Sequence, residues 1–334
     1  MQPDTEQLLS TIQSLITSEM GWQLSFPGHE DGGELEPFIW NAGEQGELTP
    51  LNLVRSEGWL QAMAPTAVLD SWLALERAGS VNGETWLVPD RDAAELLLDS
   101  ATYAEREQLY QTLLEQLQTQ LQDLQGWQLS YDADYALTLL TGEAEKQWIG
   151  LAPSVPHATQ IDDHAPIQMA VLSPSEPQPI LAAANSLESP IQATLDRLDP
   201  IQLYGYYGGG YNQTHNHRLQ LVIEPTLDQV IEQVMLKTGL LQIGSLTAFQ
   251  PTVHDSPDPC FEQLTQFLHA LSEQRVYRFS FWSSEHFYLF GQPTIDSSGT
   301  APLQPSSEHD PSKRSPKTAT WAGVVLRSRF TYNP

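Results

Sequence analysis

The chain has 334 residues, of which 40% are hydrophobic and 17% charged, with 42 acidic side chains against 15 basic ones and a formal net charge of −27. A field of that sign repels nucleic-acid phosphates and anionic membranes, so a basic protein partner is expected and direct nucleic-acid binding is not. Cys260 is the only cysteine, which excludes an internal disulfide framework and a zinc site built on cysteine pairs.

The length suits two domains with separate cores. The first segment, MQPDTEQLLSTIQSL, lacks a basic patch followed by an apolar stretch, and no run of about eighteen apolar residues occurs. The expectation is a cytoplasmic protein without a signal peptide or membrane span.

In chain order, Asp4 to Ser18 reads as a helix, with Leu8, Leu9, Ile12, Leu15 and Ile16 at helical spacing. Trp22 to Phe26 and Pro37 to Trp40 read as strands on either side of the acidic loop GHEDGGELE. Thr49 and Pro50 form a helix start and Gly58 a stop. Pro65 to Ala78 is a second amphipathic helix, and Trp86 to Val88 a short strand. Ala104 to Leu124 carries a leucine stripe against a glutamine-rich face, which predicts a long helix packed within the domain. Trp127 to Tyr131, Tyr135 to Leu140 and Gln147 to Ala152 are strands, with a turn at Thr141 to Lys146.

Prolines between Pro153 and Pro190 break long regular elements and mark an interdomain connection, with a short edge strand at Ile167 to Leu172. In YGYYGGGYNQTHNHR, Leu203 to Tyr207 reads as a strand, Gly208 to Gly210 as a hairpin turn and Arg218 onward as the returning strand. Helices follow from Thr226 and over Pro259 to Glu273. The serine- and proline-rich stretch 296–320 is a loop containing the basic cluster DPSKRSPK.

The two halves repeat. Trp148-Ile149-Gly150-Leu151 corresponds to Trp321-Ala322-Gly323-Val324, and Glu57-Gly58-Trp59-Leu60-Gln61 to Thr238-Gly239-Leu240-Leu241-Gln242. Farther upstream Leu35 to Trp40 corresponds to Arg218 to Ile223. The order is preserved throughout, which points to tandem duplication. The expected division is a first domain over 1–155, a linker over 156–187 and a second domain over 188–334.

In the first half EQLLSTIQSLI, EPFIW, QTLLEQLQTQL, GWQLS, YALTLLTG and QWIGLA follow one another; in the second, EQLTQFLHAL, RVYRFSF, HFYLFGQ and TWAGVVLRSRFT do so. This pattern resembles the inhibitors of the sugar-non-specific nuclease A of cyanobacteria, over most of both halves. The resemblance implies an α/β fold of the α+β kind, with two tandem α/β/α sandwiches, each a mostly antiparallel sheet flanked by helices. It also implies an inhibitory role in which acidic groups and the chain end approach a metal-dependent nuclease site. The matching acids are Glu30, Asp31, Glu34 and Glu36, whose other reading is a solvated loop. The family's terminal threonine corresponds to Thr331, here followed by Tyr332, Asn333 and Pro334. The second half has tyrosines in place of the acids, so Tyr206, Tyr207 and Tyr211 form a candidate partner edge.

No GxxxxGK[ST], HExxH or G-x-S-x-G motif is present. His215 and His217 would share one strand face, and solvated edge positions are expected for both, as is a surface position for the Glu285-His286 pair. The sequence thus predicts no catalytic residue, no cofactor and no metal. The reading is a non-enzymatic protein that binds a protein partner, with a basic nuclease as the partner class. The alternatives are a regulatory or scaffolding subunit of the same fold, and a hydrolase or ligand-binding protein with a site between the repeats.

Overall fold

The computed structural model describes residues 5–17, 20–24, 33–81, 99–131, 137–154, 167–172, 184–198, 200–206, 212–250, 259–281, 284–293 and 319–329. Helix α1, Thr5–Leu15, buries Leu8 and Ile12 one turn apart. A single 3₁₀ turn, Gly21–Gln23, precedes strand β1, Glu34–Asn41, and the short helix α2, Ala42–Gln45. Helix α3, Pro50–Ser56, starts where Thr49 Oγ1 accepts the Asn52 amide at 3.1 Å and ends before Gly58 at φ 73°. Strand β2, Leu60–Met63, and helix α4, Pro65–Val81, follow.

Helix α5, Ser100–Gln120, is capped by Asp99, whose carboxylate accepts the amides of Ala101 and Thr102. Strands β3, Gln122–Leu129, β4, Leu137–Ala144, and β5, Gln147–Pro153, form a meander. The β4–β5 connection is the two-residue turn Glu145-Lys146, both at positive φ (50° and 67°), as a tight right-twisted hairpin requires. Strand β6, Ile167–Val171, lies inside the expected linker, and helix α6, Ala184–Arg197, begins there. Strands β7, Ile201–Tyr206, β8, Asn212–His217, and β9, Leu219–Glu224, lead to helix α7, Leu227–Thr238. Strand β10, Leu241–Phe249, helix α8, Pro259–Ala270, and strands β11, Ser272–Phe281, β12, Ser284–Gln292, and β13, Thr320–Arg329, complete the order.

These elements make an α+β fold with antiparallel sheets. The larger runs β1-β13-β12-β11-β10-β6, the second β2-β3-β4-β5-β9, and β7-β8 pair by themselves. The chain forms two compact units, the first from Met1–Leu53, Ala158–Ser173 and Leu241–Pro334, the second from Val54–His157 and Pro174–Leu240. The expected division into consecutive halves, 1–155 and 188–334, therefore differs from the units. Each sheet of a repeat is completed by the first strand of the other repeat: β1 pairs with β13, and β9 with β5.

The exchange is symmetrical in register. In unit 1 Phe38 faces Gly323 and Gly323 faces Phe290; in unit 2 Val222 faces Gly150 and Gly150 faces Thr141. Gly150 and Gly323 correspond as the sequence predicts. Val222 takes the place of Phe38, however, so Leu219–Glu224, not Arg218–Ile223, is the counterpart of Leu35–Trp40: the expected alignment of the first strands is one residue out. Both units carry a bulge at the start of the strand after the long helix, with Asp123 at φ 49° and Glu273 at φ 50°. A left-handed glycine stands ahead of both β2 and β10, Gly58 in the one case and Gly239 (φ 88°) in the other.

In unit 1, α1 and α8 cover one sheet face, where Leu8, Ile12, Phe261, Leu264 and Leu268 meet Val276, Leu289, Val324 and Leu326. The opposite face is aromatic: Phe38 stands edge-on to Tyr288 at 5.3 Å, Tyr277 to Phe290 at 4.9 Å and Phe290 to Trp321 at 5.6 Å. Such rings contribute about 1 kcal/mol per pair beyond their burial. In unit 2, α4, α5 and α6 pack on Leu140, Ile149 and Leu151. Helix α7 crosses the other face at Gly150, where an added Cβ would press into Val230. That gives unit 2 the expected three layers.

Several local expectations change. Gly21–Gln23 is a 3₁₀ turn where a strand starting at Trp22 was expected. Helix α5 stops at Gln120, and Leu124 belongs to β3. The strand returning from β7 is β8, which ends before Arg218. Trp86 to Val88, Gly208 to Gly210 and the DPSKRSPK cluster lie outside the described residues.

Candidate functional site

The start of β1 and the end of β13 lie side by side, because Glu34 faces Arg327 in the antiparallel ladder. Arg327 in turn faces His286 on β12. Glu36 Oε2 accepts the Arg327 Nε–H at 3.0 Å, and the guanidinium lies 5.8 Å from the centroid of the Tyr288 ring. Arg327 Nη1 stands 3.4 Å from His286 Nδ1, and His286 Nε2 stands 3.3 Å from Ser284 Oγ.

The arginine decides the tautomer. A guanidinium can only donate, so Nδ1 accepts and the imidazole proton sits on Nε2, pointed at Ser284. Burial and the Arg327 charge depress the His286 pKa to about 3, which holds the ring neutral. A serine nucleophile needs the reverse arrangement, with Nε2 free to take the hydroxyl proton and an acid behind Nδ1. This Ser-His pair is therefore a structural one.

On the other face, Arg278 donates to Glu285 and to Gln242 Oε1 at 3.4 Å. Glu285 is 3% exposed and His286 0%, so the surface position expected for both is corrected. Strand β12 is central and buried on both faces, where alternation gives no outward side.

Among the predicted partner residues, Glu34 is exposed and Glu36 is held by Arg327. Tyr206 ends β7 opposite Asn212, in unit 2. Glu30, Asp31, Tyr207, Tyr211 and Thr331 lie outside the described residues. The ladder thus gathers Glu34 and Glu36 in unit 1, and assigns the tyrosine hairpin to the other unit. Where unit 1 has Glu34 and Arg327, the matching ladder position of unit 2 has Arg218 and Ser154, joined by Ser154 N–H to the Arg218 carbonyl at 2.9 Å. The acidic pair is a feature of unit 1 alone.

Unit 2 has instead a buried ionic cluster that the sequence reading missed. Glu76 of α4 is fully buried and accepts two bonds from Arg106 of α5, each 2.7 Å, and one from the Tyr110 hydroxyl at 2.5 Å. His217, at the end of β8, brings Nε2 to 4.0 Å from the same carboxylate. His217 is 1% exposed, which corrects the solvated edge expected for it. Burial and the adjoining Glu76 charge raise the Tyr110 pKa well above the phenol range, so its proton stays on the hydroxyl. The signal in the sequence was positional: Glu76 and Arg106 fall on the apolar faces of their helices, in step with Leu69, Trp72 and Leu73 and with Leu109, Tyr110 and Leu113. Charged residues in such stripes need buried partners.

Among the described residues no group of three or more His, Cys, Asp or Glu side chains could hold a metal ion, and no helix is long and apolar enough to cross a membrane. No family model, curated protein or solved structure matches the chain.

Proposed function

We propose that this chain is a non-enzymatic protein-binding protein whose first unit offers an acidic sheet end to a basic, metal-dependent, sugar-non-specific nuclease. The observation that supports this reading most is the Glu34–Arg327 register. It puts the strand that follows Glu30 and Asp31 in sequence beside the strand that precedes Thr331. A division into consecutive domains would have assigned those two features to different domains.

Carboxylates there would stand in for substrate phosphate toward a cationic cleft, and a net charge of −27 would speed the encounter. The proposal places the protein in the cytoplasm, without a cofactor. Purified chain at slight excess should suppress DNA cleavage by such a nuclease, and charge reversal at Glu30, Asp31 and Glu34 should restore cleavage. Unchanged degradation at every ratio would reject the reading.

A further inference from the structure

Antiparallel sheets expose two edges each, and in the two larger sheets three of the four edges are blunted. Strand β1 carries Pro37 in mid-strand together with Glu34 and Glu36. Strand β2 is only four residues long. On β9, the Lys237 ammonium of α7 donates to the Leu221 carbonyl at 3.5 Å.

Among the described residues strand β6, at five residues, lacks the proline, the charges and the lysine contact. Its sequence IQMAV has no charge and no proline, and Val171 and Leu172, at 49% and 55% exposure, are the exposed large hydrophobic residues of the described structure. The Leu172 amide bonds inward to the Ile243 carbonyl at 2.9 Å. By antiparallel alternation the N–H and C=O groups of Val171 and Met169 therefore point away from β10.

We propose that β6 is a docking edge that accepts an extended segment of a partner protein as an added strand, and that this segment is basic. The chain has no lysine or arginine between Lys146 and Arg197, and its formal net charge is −27. A strand with alternating apolar and lysine residues matches both the apolar side chains and that charge. A second copy of this chain would bring like charge to the same edge. The proposal is independent of the nuclease reading, since β6 and β1 are the opposite edges of their sheet.

The test is residue-resolved hydrogen exchange on the full chain with an alternating lysine-valine peptide as the probe and a glutamate-valine peptide beside it. The basic peptide should slow exchange at Met169 and Val171 at least about tenfold, and the acidic one should not. Val171→Pro removes an outward donor and spares the bond from Leu172, so that variant should stay folded and lose the protection. Absence of protection at these two amides would overturn the proposal. So would a concentration-dependent dimer of the chain that Val171→Pro dissolves, because that result assigns the edge to self-pairing.

Discussion

Unit 1 and unit 2 share a strand frame and differ in where they place charge. The frame is kept in its backbone particulars: Gly150 with Gly323, the bulges at Asp123 and Glu273, and the glycines ahead of β2 and β10. Unit 1 holds a buried pair, Arg278 with Glu285, and a half-exposed one at the end of its sheet, where Glu36, Arg327 and His286 meet and Arg327 keeps 19% of its side chain exposed. Unit 2 has the exposed pair Arg55–Asp228 and, unlike unit 1, a buried cluster that joins two helices, with Glu76 at 0% and Arg106 at 8% side-chain exposure. Helix α4 supplies Glu76, and Tyr110 supplies a hydroxyl where the matching turn of α8 has Phe261 stacked on Phe249 at 4.7 Å. Duplication thus fixes the ladder, while side chains at equivalent places take up different chemistry.

The largest expected effect is in unit 2. Glu76→Leu leaves Arg106 charged and buried without its carboxylate, which should cost roughly 3–5 kcal/mol in denaturant unfolding. A loss below about 1 kcal/mol would mean that the cluster is hydrated and comparable to the pair in unit 1.

His286 sharpens the comparison through pH. Its folded pKa of about 3 lies below the ordinary value of 6.5. Between those values the unfolded chain binds a proton that the folded chain refuses, so stability falls as pH drops from about 6.5 toward 3. From pH 6 to pH 4 the native chain should lose roughly 2 kcal/mol more than His286→Gln. Parallel stability curves for the two proteins would contradict the buried neutral ring.

The smallest effect belongs to the half-exposed ion pair. Glu36→Gln should change stability by less than about 1 kcal/mol and lose that difference at high salt. A change as large as that of Glu76→Leu would remove the contrast between the units.

Most helices and strands were legible because their periodicities and caps are local. Thr49 before Pro50, Thr226 before Leu227 and the stripe of α8 all mark elements that form. Helix α6 was hidden by Pro190, which lacks the amide that a helix interior uses and so reads as a breaker. The exchange itself left no local mark. Strands β5 and β13 are equivalents, as are β1 and β9, so either first strand fits either last strand by pattern, and only tertiary pairing decides. The burial of His217, Glu285 and His286 was illegible for a related reason. Polar side chains read as outward unless their partners, distant in sequence, are known.

The exchange of first strands is the central claim, and a cysteine pair tests it directly. In a Cys260→Ser background, Glu34→Cys with Arg327→Cys joins ladder partners, whereas Glu34→Cys with Ser154→Cys joins the positions that would meet if each repeat closed on itself. Strand partners stand about 5 Å apart at Cα, within disulfide reach. The structure predicts that oxidation cross-links the first pair and leaves the second as free thiols. A cross-link in the second pair and none in the first would contradict it.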